Sequence, residues 1–252
     1  MMKAVRKEAH NILNYTLNRQ YPLPDKSWFL YQEWHNVLLF HWKVAAHLIR
    51  RYVPDELELD LVEGSAFISI VAFKVKNFTT SLGPVPFTRS FGEVNVRTYV
   101  SVNGIRGVYF FSHHADHLLA VIGAKTAYQL PYSRAEIRHS NNIIYCRDRT
   151  KKVTLSMLLN AASCSPNYHK TDLDLWLTER HAFYQVFGKN LYRCDIHHKD
   201  WPLEELFVYS GYFHLELGDD RSIRINSRPV LAHCAPQLKV LFWNRVQVFP
   251  IS

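Results

Sequence analysis

The chain has 252 residues, of which 48% are hydrophobic and 21% charged, and its formal net charge is +8. This composition is that of an ordinary globular protein, excludes a disordered chain, and leaves room for one large domain with a sizeable core. No apolar run approaches the roughly 18 residues that a membrane-spanning helix needs, and the N-terminal residues lack the apolar stretch of a signal peptide. We therefore expect a cytoplasmic protein with no membrane partner.

The basic residues are dispersed, with only short pairs at Arg50-Arg51 and Lys151-Lys152. Without a basic run or a nucleic-acid motif, no nucleic-acid partner is expected. Some positive charge lining an anion pocket remains an alternative to a purely solvated basic surface.

The four cysteines are scattered and show no C-x-x-C spacing; they are Cys146, Cys164, Cys194 and Cys234. This spacing argues against a structural zinc site and a disulfide framework, and favours a reducing compartment. The chain also lacks a G-x-S-x-G elbow and a glycine-rich phosphate loop. We expect no cofactor and no metal.

Periodicity and turn residues predict the first elements of the chain. They are an amphipathic helix within residues 1–20, a break at 21–25, a buried strand at 37–40, a helix at 43–52, and strands at 57–61 and 66–75 joined by a turn at Glu63-Gly64. Pro54 is expected to prevent the second helix from continuing.

The next predicted elements begin with a strand at 91–102, which ends in an Asn103-Gly104 hairpin. They continue as a return strand at 108–112, a short helix at 116–122 ended by Gly123, strands at 127–130, 136–147, 173–187 and 191–197, a helical turn at 201–206, and closing strands at 209–217 and 238–249. Many strands, few helices and no linker predict a β-rich α+β fold in a single domain spanning 1–252, with a curled or barrel-like sheet.

The rest of the chain is organised around residues 91–131, and above all around the alternating segment 93–102. Because successive side chains of a strand point to opposite faces, Glu93, Asn95, Arg97, Tyr99 and Ser101 share one face, and valines with Thr98 share the other. Two interpretations are open. The polar face lies in water, as in an ordinary antiparallel sheet, or it lines a cavity where these groups converge on a ligand.

Several ordered motifs together resemble the YqjF-like family of bacterial proteins over residues 28–250, which leaves residues 1–25 as an N-terminal helical extension. The motifs are LLFHW, VPDELELD, FGEVNVRTYV, GVYFFS, AYQLPY, LTERH and IHHKDWPL. That family is in turn similar to acetoacetate decarboxylases, and the resemblance implies their fold, a cone or barrel of mainly antiparallel strands around a central cavity.

The more distant resemblance covers about residues 35–135 and places Glu93 at the decarboxylases' active-site glutamate. It also places Pro131 at the proline of their P-K-K motif, so Tyr132 and Ser133 stand where the two lysines stand. Lys125 corresponds to an arginine of the decarboxylases and not to their nucleophile. Since only an amine forms an imine, the resemblance implies the fold without the Schiff-base mechanism.

Histidines form two further groups, and a functional role for them stays open. His113, His114 and His117 could suggest a metal site, but a strand ending near Ser112 and a helix beginning near Asp116 would put His113 and His117 on either side of a bend. His197-His198 precede Trp201-Pro202 and are expected in a turn, or at the rim of the cavity if the family resemblance holds.

Together these patterns predict a cavity protein that binds a small, anionic, carboxylate-type molecule, as a monomer or a small homo-oligomer. Arg97 would bind the anion through its planar fork, with Asn95, Tyr99 and Ser133 as further ligand-binding residues. Glu93 and Tyr132 would be catalytic, as an acid or base and a hydrogen-bond donor. The alternative is a structural or partner-binding protein, in which Glu93 and Arg97 form only a pair on one face of the strand.

Overall fold

The computed structural model describes residues 2–85, 90–127, 132–140, 142–148, 153–160, 168–218 and 221–250. Within these ranges, four helices are α1 Met2–Leu13, α2 Ala46–Arg50, α3 Leu118–Ala127 and α4 Asp172–Thr178. The strands there are β1 Leu30–Ala45, β2 Glu58–Leu59, β3 Ser65–Thr80, β4 Gly83–Pro84, β5 Ser90–Val102, β6 Ile105–Ala115, β7 Tyr132–His139, β8 Ile143–Asp148, β9 Val153–Asn160, β10 Ala182–Phe187, β11 Asn190–His198, β12 Glu204–Glu205, β13 Phe207–Gly218, β14 Arg221–Ile225, β15 Leu231–Phe242 and β16 Val246–Pro250. The predicted β-rich α+β fold with few short helices is confirmed. No helix in the described ranges is long and apolar enough to cross a bilayer.

Seven strands pair in a closed circuit. Its order is β5, β6, β10, β11, β15, β1 and β3, with β3 pairing back onto β5. The β6–β10 pair is parallel, and the other pairs of the circuit are antiparallel. A second group extends from β6 in the order β7, β8, β9, β13 and β14. As a result, β5 and β6 stand between the interior of the circuit and this second group.

Local sequence fixes the hairpin that joins β5 to β6. Asn103 and Gly104 have φ values of 51° and 77°, the left-handed conformations that a two-residue hairpin turn with the right twist requires. Three residues later, a side chain at Gly107 would place its Cβ 2.7 Å from the carbonyl oxygen of Ala182. Glycine at 107 therefore allows β10 to lie directly beside β6.

The two faces of β5 contribute to two different cores. Val94 and Val96 pack with the apolar residues of the second strand group, whereas Tyr99 packs inside the circuit with Trp34 and Phe73. The helix α1 does not project from the domain. Its Val5, Ala9 and Ile12 are buried against Tyr31, Leu241 and Trp243 of the sheet.

Several predicted element boundaries are wrong because tertiary pairing extends or divides them. The strand predicted at 37–40 is the centre of β1, whose last residues still pair with β3, so the helix predicted at 43–52 is reduced to α2. The strands predicted at 136–147 and 238–249 are each two strands, and α3 continues past Gly123. Of the strand predicted at 127–130, Ala127 belongs to α3 and the other residues lie outside the described ranges.

Two further predictions are wrong in element type. The strand predicted at 173–187 is α4 followed by β10, and α4 begins with a capping box in which Thr171 and Asp174 each accept the other's backbone N–H. The helical turn predicted at 201–206 contains β12, which pairs with β15. The alternation of apolar residues in 173–177 indicated a strand, but the cap and the local hydrogen bonds decide for a helix.

Candidate functional site

A cavity of about 250 Å³ lies inside the strand circuit. Its wall is mostly apolar and includes Trp34, Phe73, Phe91, Phe110, Phe183 and Trp201. Polar side chains on the wall are Gln32, Thr80, Glu93, Asn95, Arg97, His113, Tyr132, Thr178, Arg180 and His198. A concave, largely apolar space with a few converging polar groups is the usual form of a small-molecule site.

Three of the polar groups follow one another on β5, and we call Glu93, Asn95 and Arg97 the polar strip. Their exposed fractions are only 5%, 4% and 7%. The opposite face of β5 is buried in the other core, so neither face of the strand meets water. The polar strip on the other face borders the cavity.

At one end of the polar strip, Glu93 contacts Tyr132 and His113. The Tyr132 hydroxyl donates to Glu93 Oε2 at 2.7 Å, and His113 Nδ1 lies 3.6 Å from Glu93 Oε1. The ring of His113 stacks on that of Tyr132 with centroids 4.6 Å apart. Burial, and then the charge of Glu93, holds the pKa of Tyr132 well above its usual value, so the phenol keeps its proton and remains a donor. A carboxylate, a phenol and an imidazole thus meet at one point of the wall.

At the other end of the polar strip, Arg97 is a buried cation without a carboxylate partner among the described residues. Among the described residues, no acceptor is within hydrogen-bond distance of Arg97 Nε. The neighbouring Asn95 Oδ1 likewise has no donor there. Burial lowers the pKa of Arg97, while the nearby Tyr99 acts in the opposite direction. A guanidinium nevertheless stays charged in proteins. The cavity therefore contains a positive charge that an anion would neutralise.

A second arginine on the wall, Arg180, is paired with a carboxylate, although its Nη2 has no hydrogen-bond partner among the described residues. Its Nη1 lies 2.5 Å from Asp60 Oδ2, and its Nε donates to the carbonyl oxygen of Trp176 at 2.6 Å. The guanidinium also packs 4.3 Å from the centroid of the Trp176 ring. Its charge is neutralised inside the protein, unlike that of Arg97.

Two residues that the sequence predicted for the site lie elsewhere. Tyr99 is on the same face as Arg97, but at its position Trp176 of α4 covers the strand at a ring distance of 4.7 Å, and the Tyr99 hydroxyl bonds to Ser69 Oγ at 2.7 Å. Ser133 follows Tyr132 on β7 and so points to the other face, where it bonds to His114 Nδ1 at 2.7 Å. Neither belongs to the cavity wall.

His113 and His117 lie on either side of a bend, as the sequence predicts. His113 lies on β6 and faces the cavity, whereas His117 precedes α3 and its Nδ1 accepts the Ala120 backbone N–H at 3.3 Å. His198 reaches the cavity wall and His197 does not.

The sequence predicts no cavity role for Arg180 and leaves the role of His113 and His198 open. The Thr171-x-x-Asp174 capping pattern predicts that a helix begins after Thr171, but no local signal indicates that Arg180 reaches the cavity.

The fold of the chain is that of a known class of proteins. Two solved structures of this class are the enduracididine biosynthesis enzyme MppR complexed with pyruvate (TM-score 0.56, 13% identity, 91% of this chain and 93% of the other) and an acetoacetate decarboxylase-like enzyme from Sphingomonas wittichii RW1 (0.56, 12%, 92% and 98%). A third is the acetoacetate decarboxylase of Legionella pneumophila (0.55, 10%, 94% and 96%). The chain thus has the acetoacetate decarboxylase-like fold.

Sequence comparison then gives the particular family. Residues 31–239 match the DUF2071 family of uncharacterised conserved proteins, and the chain is 37% identical over 231 residues to the uncharacterised protein YqjF of Bacillus subtilis, covering 88% of this chain and 93% of that protein. The chain belongs to the DUF2071 family, and the resemblance inferred from its motifs is confirmed.

Proposed function

We propose that the cavity binds a small carboxylic or 2-oxo acid, with Arg97 as the anchor of its carboxylate. The observation that carries this proposal is the buried Arg97 guanidinium, which has no carboxylate partner among the described residues and lines an apolar cavity of about 250 Å³. Burying a charge without a partner is costly, and a bound anion would remove that cost. MppR, which has the same fold, has been solved in complex with pyruvate, and this motivates the choice of a small oxo acid.

The spacing of the polar strip limits the size of the ligand. Residues two apart on a strand are about 7 Å apart, so Arg97 and Glu93 are separated by about 13 Å of backbone, with Asn95 between them. Their long side chains shorten the gap that a ligand must span. A carboxylate bound to Arg97 would therefore place the body of a short-chain acid beside Asn95 and direct its far end toward Glu93 and Tyr132.

As a second part of the proposal, Glu93 removes a proton from the carbon atom next to the ligand's carbonyl group. The carboxylate of Glu93 accepts the proton, and the electron pair moves onto the carbonyl oxygen, where a nearby donor such as Tyr132 or His113 stabilises it. The observation that favours this chemistry is the contact of Glu93 with both side chains. No imine is involved, because the described part of the cavity wall contains no lysine.

A thermal-shift screen of small carboxylic and 2-oxo acids, followed by calorimetry, tests the binding. A ligand that binds only the folded protein raises its melting temperature. Arg97→Lys keeps the charge but loses the bidentate geometry, so affinity should fall about tenfold or more. Arg50→Lys is the matched control, because Arg50 is part-buried and donates to backbone carbonyls away from the cavity. If no acid stabilises the protein, or if Arg97→Lys binds as tightly as the wild type, the structural or partner-binding alternative is favoured.

Deuterium exchange tests the chemistry separately. A bound oxo acid incubated in D₂O should exchange the hydrogen next to its carbonyl, and Glu93→Gln should abolish the exchange while the acid still binds. Unchanged exchange in Glu93→Gln would exclude this residue as the base. The proposed location is the cytoplasm, which the free cysteines Cys146 and Cys194 would suit; Cys164 lies outside the described residues.

A further inference from the structure

Three side chains of metal-binding type converge at the open end of the β10–β11 hairpin. Glu179 and His181 lie between α4 and β10, and His198 is the last residue of β11. The backbone N–H of Ile196 donates to the carbonyl oxygen of His181 at 2.9 Å, which holds the first segment against β11. The sheet itself therefore brings the three side chains together.

The spacing of their donor atoms is close to that of a metal site. One ligand atom from each residue lies within 4.8 Å of the other two, and His181 Nε2 is 3.6 Å from Glu179 Oε2. In a tetrahedral zinc site with bonds of about 2.0–2.1 Å, neighbouring donor atoms are about 3.4 Å apart. The His181–Glu179 pair is close to this spacing, and the His198 donor lies within 4.8 Å of both.

The three side chains are buried, and several of their polar atoms lack partners. Glu179, His181 and His198 are at most 5% exposed. Glu179 Oε1 and both ring nitrogens of His181 have no hydrogen-bond partner among the described residues. Buried polar atoms are nearly always paired, so these atoms would accept a partner that the described residues do not supply.

The orientation of His198 provides a separate indication. Its Nδ1 lies 2.8 Å from the carbonyl oxygen of Lys199, so Nδ1 carries the proton and Nε2 keeps its lone pair. A backbone carbonyl on the second ring nitrogen is the arrangement that orients metal-binding histidines.

We propose that Glu179, His181 and His198 bind one divalent transition-metal ion of the Zn²⁺ type. Two imidazoles and one carboxylate suit such ions, whereas Ca²⁺ and Mg²⁺ require mainly oxygen ligands. Arg19 acts electrostatically on both histidines, but it lies 3.7 Å from Asp195, which offsets its charge. Because His198 also lines the cavity, a coordination position left open by the three ligands would face the space proposed for the acid. The metal site rests on its own residues and does not depend on anion binding by Arg97.

Metal binding by the full chain is the first test. Protein freed of metal with a chelator is titrated with Co²⁺, and absorption in the visible range and calorimetry with Zn²⁺ report the site. We expect one equivalent of Co²⁺ with the intense bands of a four- or five-coordinate ion, displaced by Zn²⁺. Absence of binding, or only the weak bands of a hexa-aqua-like ion, would overturn the proposal.

Variants then assign the ligands. Glu179→Gln and His181→Gln should each weaken Zn²⁺ binding at least a hundredfold. His197→Gln is the matched control, because this buried residue lies 5.4 Å from the His181 ring but outside the ligand set, and it should bind Zn²⁺ as the wild type does. Full binding in Glu179→Gln or His181→Gln, or its loss in folded His197→Gln, contradicts the assignment. If a variant fails to fold, the Co²⁺ spectrum of the wild type still decides the presence of the site.

Discussion

Replacing Arg97 with methionine is expected to stabilise the protein while it abolishes anion binding. Arg97 is 7% exposed, and no carboxylate among the described residues forms an ion pair with it. Burial lowers its pKa, which means that the surroundings disfavour the charge. Methionine has a similar length, fits irregular apolar space and carries no charge. Without a ligand, the substitution therefore removes the free-energy cost of burying a charge and few favourable contacts.

The expected change in the free energy of unfolding follows from the general cost of burying a charge. Replacing a buried ion pair, with both partners changed together, by apolar residues often stabilises a protein by about 1–4 kcal/mol. Arg97 has no paired carboxylate but keeps a favourable contact with Tyr99, so a gain of about 2 kcal/mol is expected. For a chain of this length, that corresponds to a rise in melting temperature of about 4–8 °C.

Arg180→Met is the matched comparison, and it should have the opposite sign. This substitution leaves Asp60 without its 2.5 Å partner and with only the more distant Arg106 at 3.4 Å. A loss of about 3 kcal/mol is expected. Urea denaturation of both variants in the same ligand-free buffer measures the difference. If Arg97→Met loses stability as Arg180→Met does, the charge of Arg97 is already neutralised within the protein and the reasoning for an anion site is wrong.

Three other outcomes are expected. Borohydride with acetoacetate or related oxo acids should trap no adduct, because the described cavity wall has no lysine; a stoichiometric adduct in intact mass, lost when Lys74, Lys76 or Lys125 becomes Arg, would contradict this. Gly107→Ala should cost about 1–3 kcal/mol in urea denaturation, since its Cβ would meet Ala182 O at 2.7 Å, and equal stability would refute that packing. Burial lowers the pKa of His114 to about 4, so the unfolded chain takes up the proton first. The contribution of neutral His114 to the free energy of unfolding is therefore complete above about pH 6.5. It falls by up to about 3 kcal/mol toward pH 4. His114→Gln should show a shallower fall than the wild type, and identical slopes would count against it.

The sequence predicts most of the site because the site lies on one strand and its neighbours. Strict alternation over 93–97 placed Glu93, Asn95 and Arg97 on one face, and the Asn103-Gly104 turn set the register of the return strand. Alternation alone does not show whether the polar face of β5 lies in water or lines a cavity, because the answer depends on which strands pack on β5. The second core, formed by strands distant in sequence, provides the answer.

Predictions failed where a long-range contact overrides a local pattern. Tyr99 lies on the same face of β5 as the polar strip, but Trp176 of α4 covers it. The sequence pattern predicts a strand where α4 lies, so this contact could not be foreseen. The meeting of Glu179 and His181 with His198 also depends on the β10–β11 pairing, which no local pattern encodes for these side chains. Such contacts need the topology of the sheet before they can be inferred.

The charged groups and the shape of the cavity are carried by different parts of the chain. The polar strip belongs to β5, which Val94 and Val96 fix from behind, whereas Trp34, Phe73 and Phe183 come from β1, β3 and β10. Trp34 and Phe73 stack with their rings 4.6 Å apart and border the cavity. A substitution at such an aromatic position changes the room for a ligand without moving the group that would anchor it. The same scaffold is thus suited to diversification, in nature or by design, toward acids of different side-chain size with one unchanged anchor.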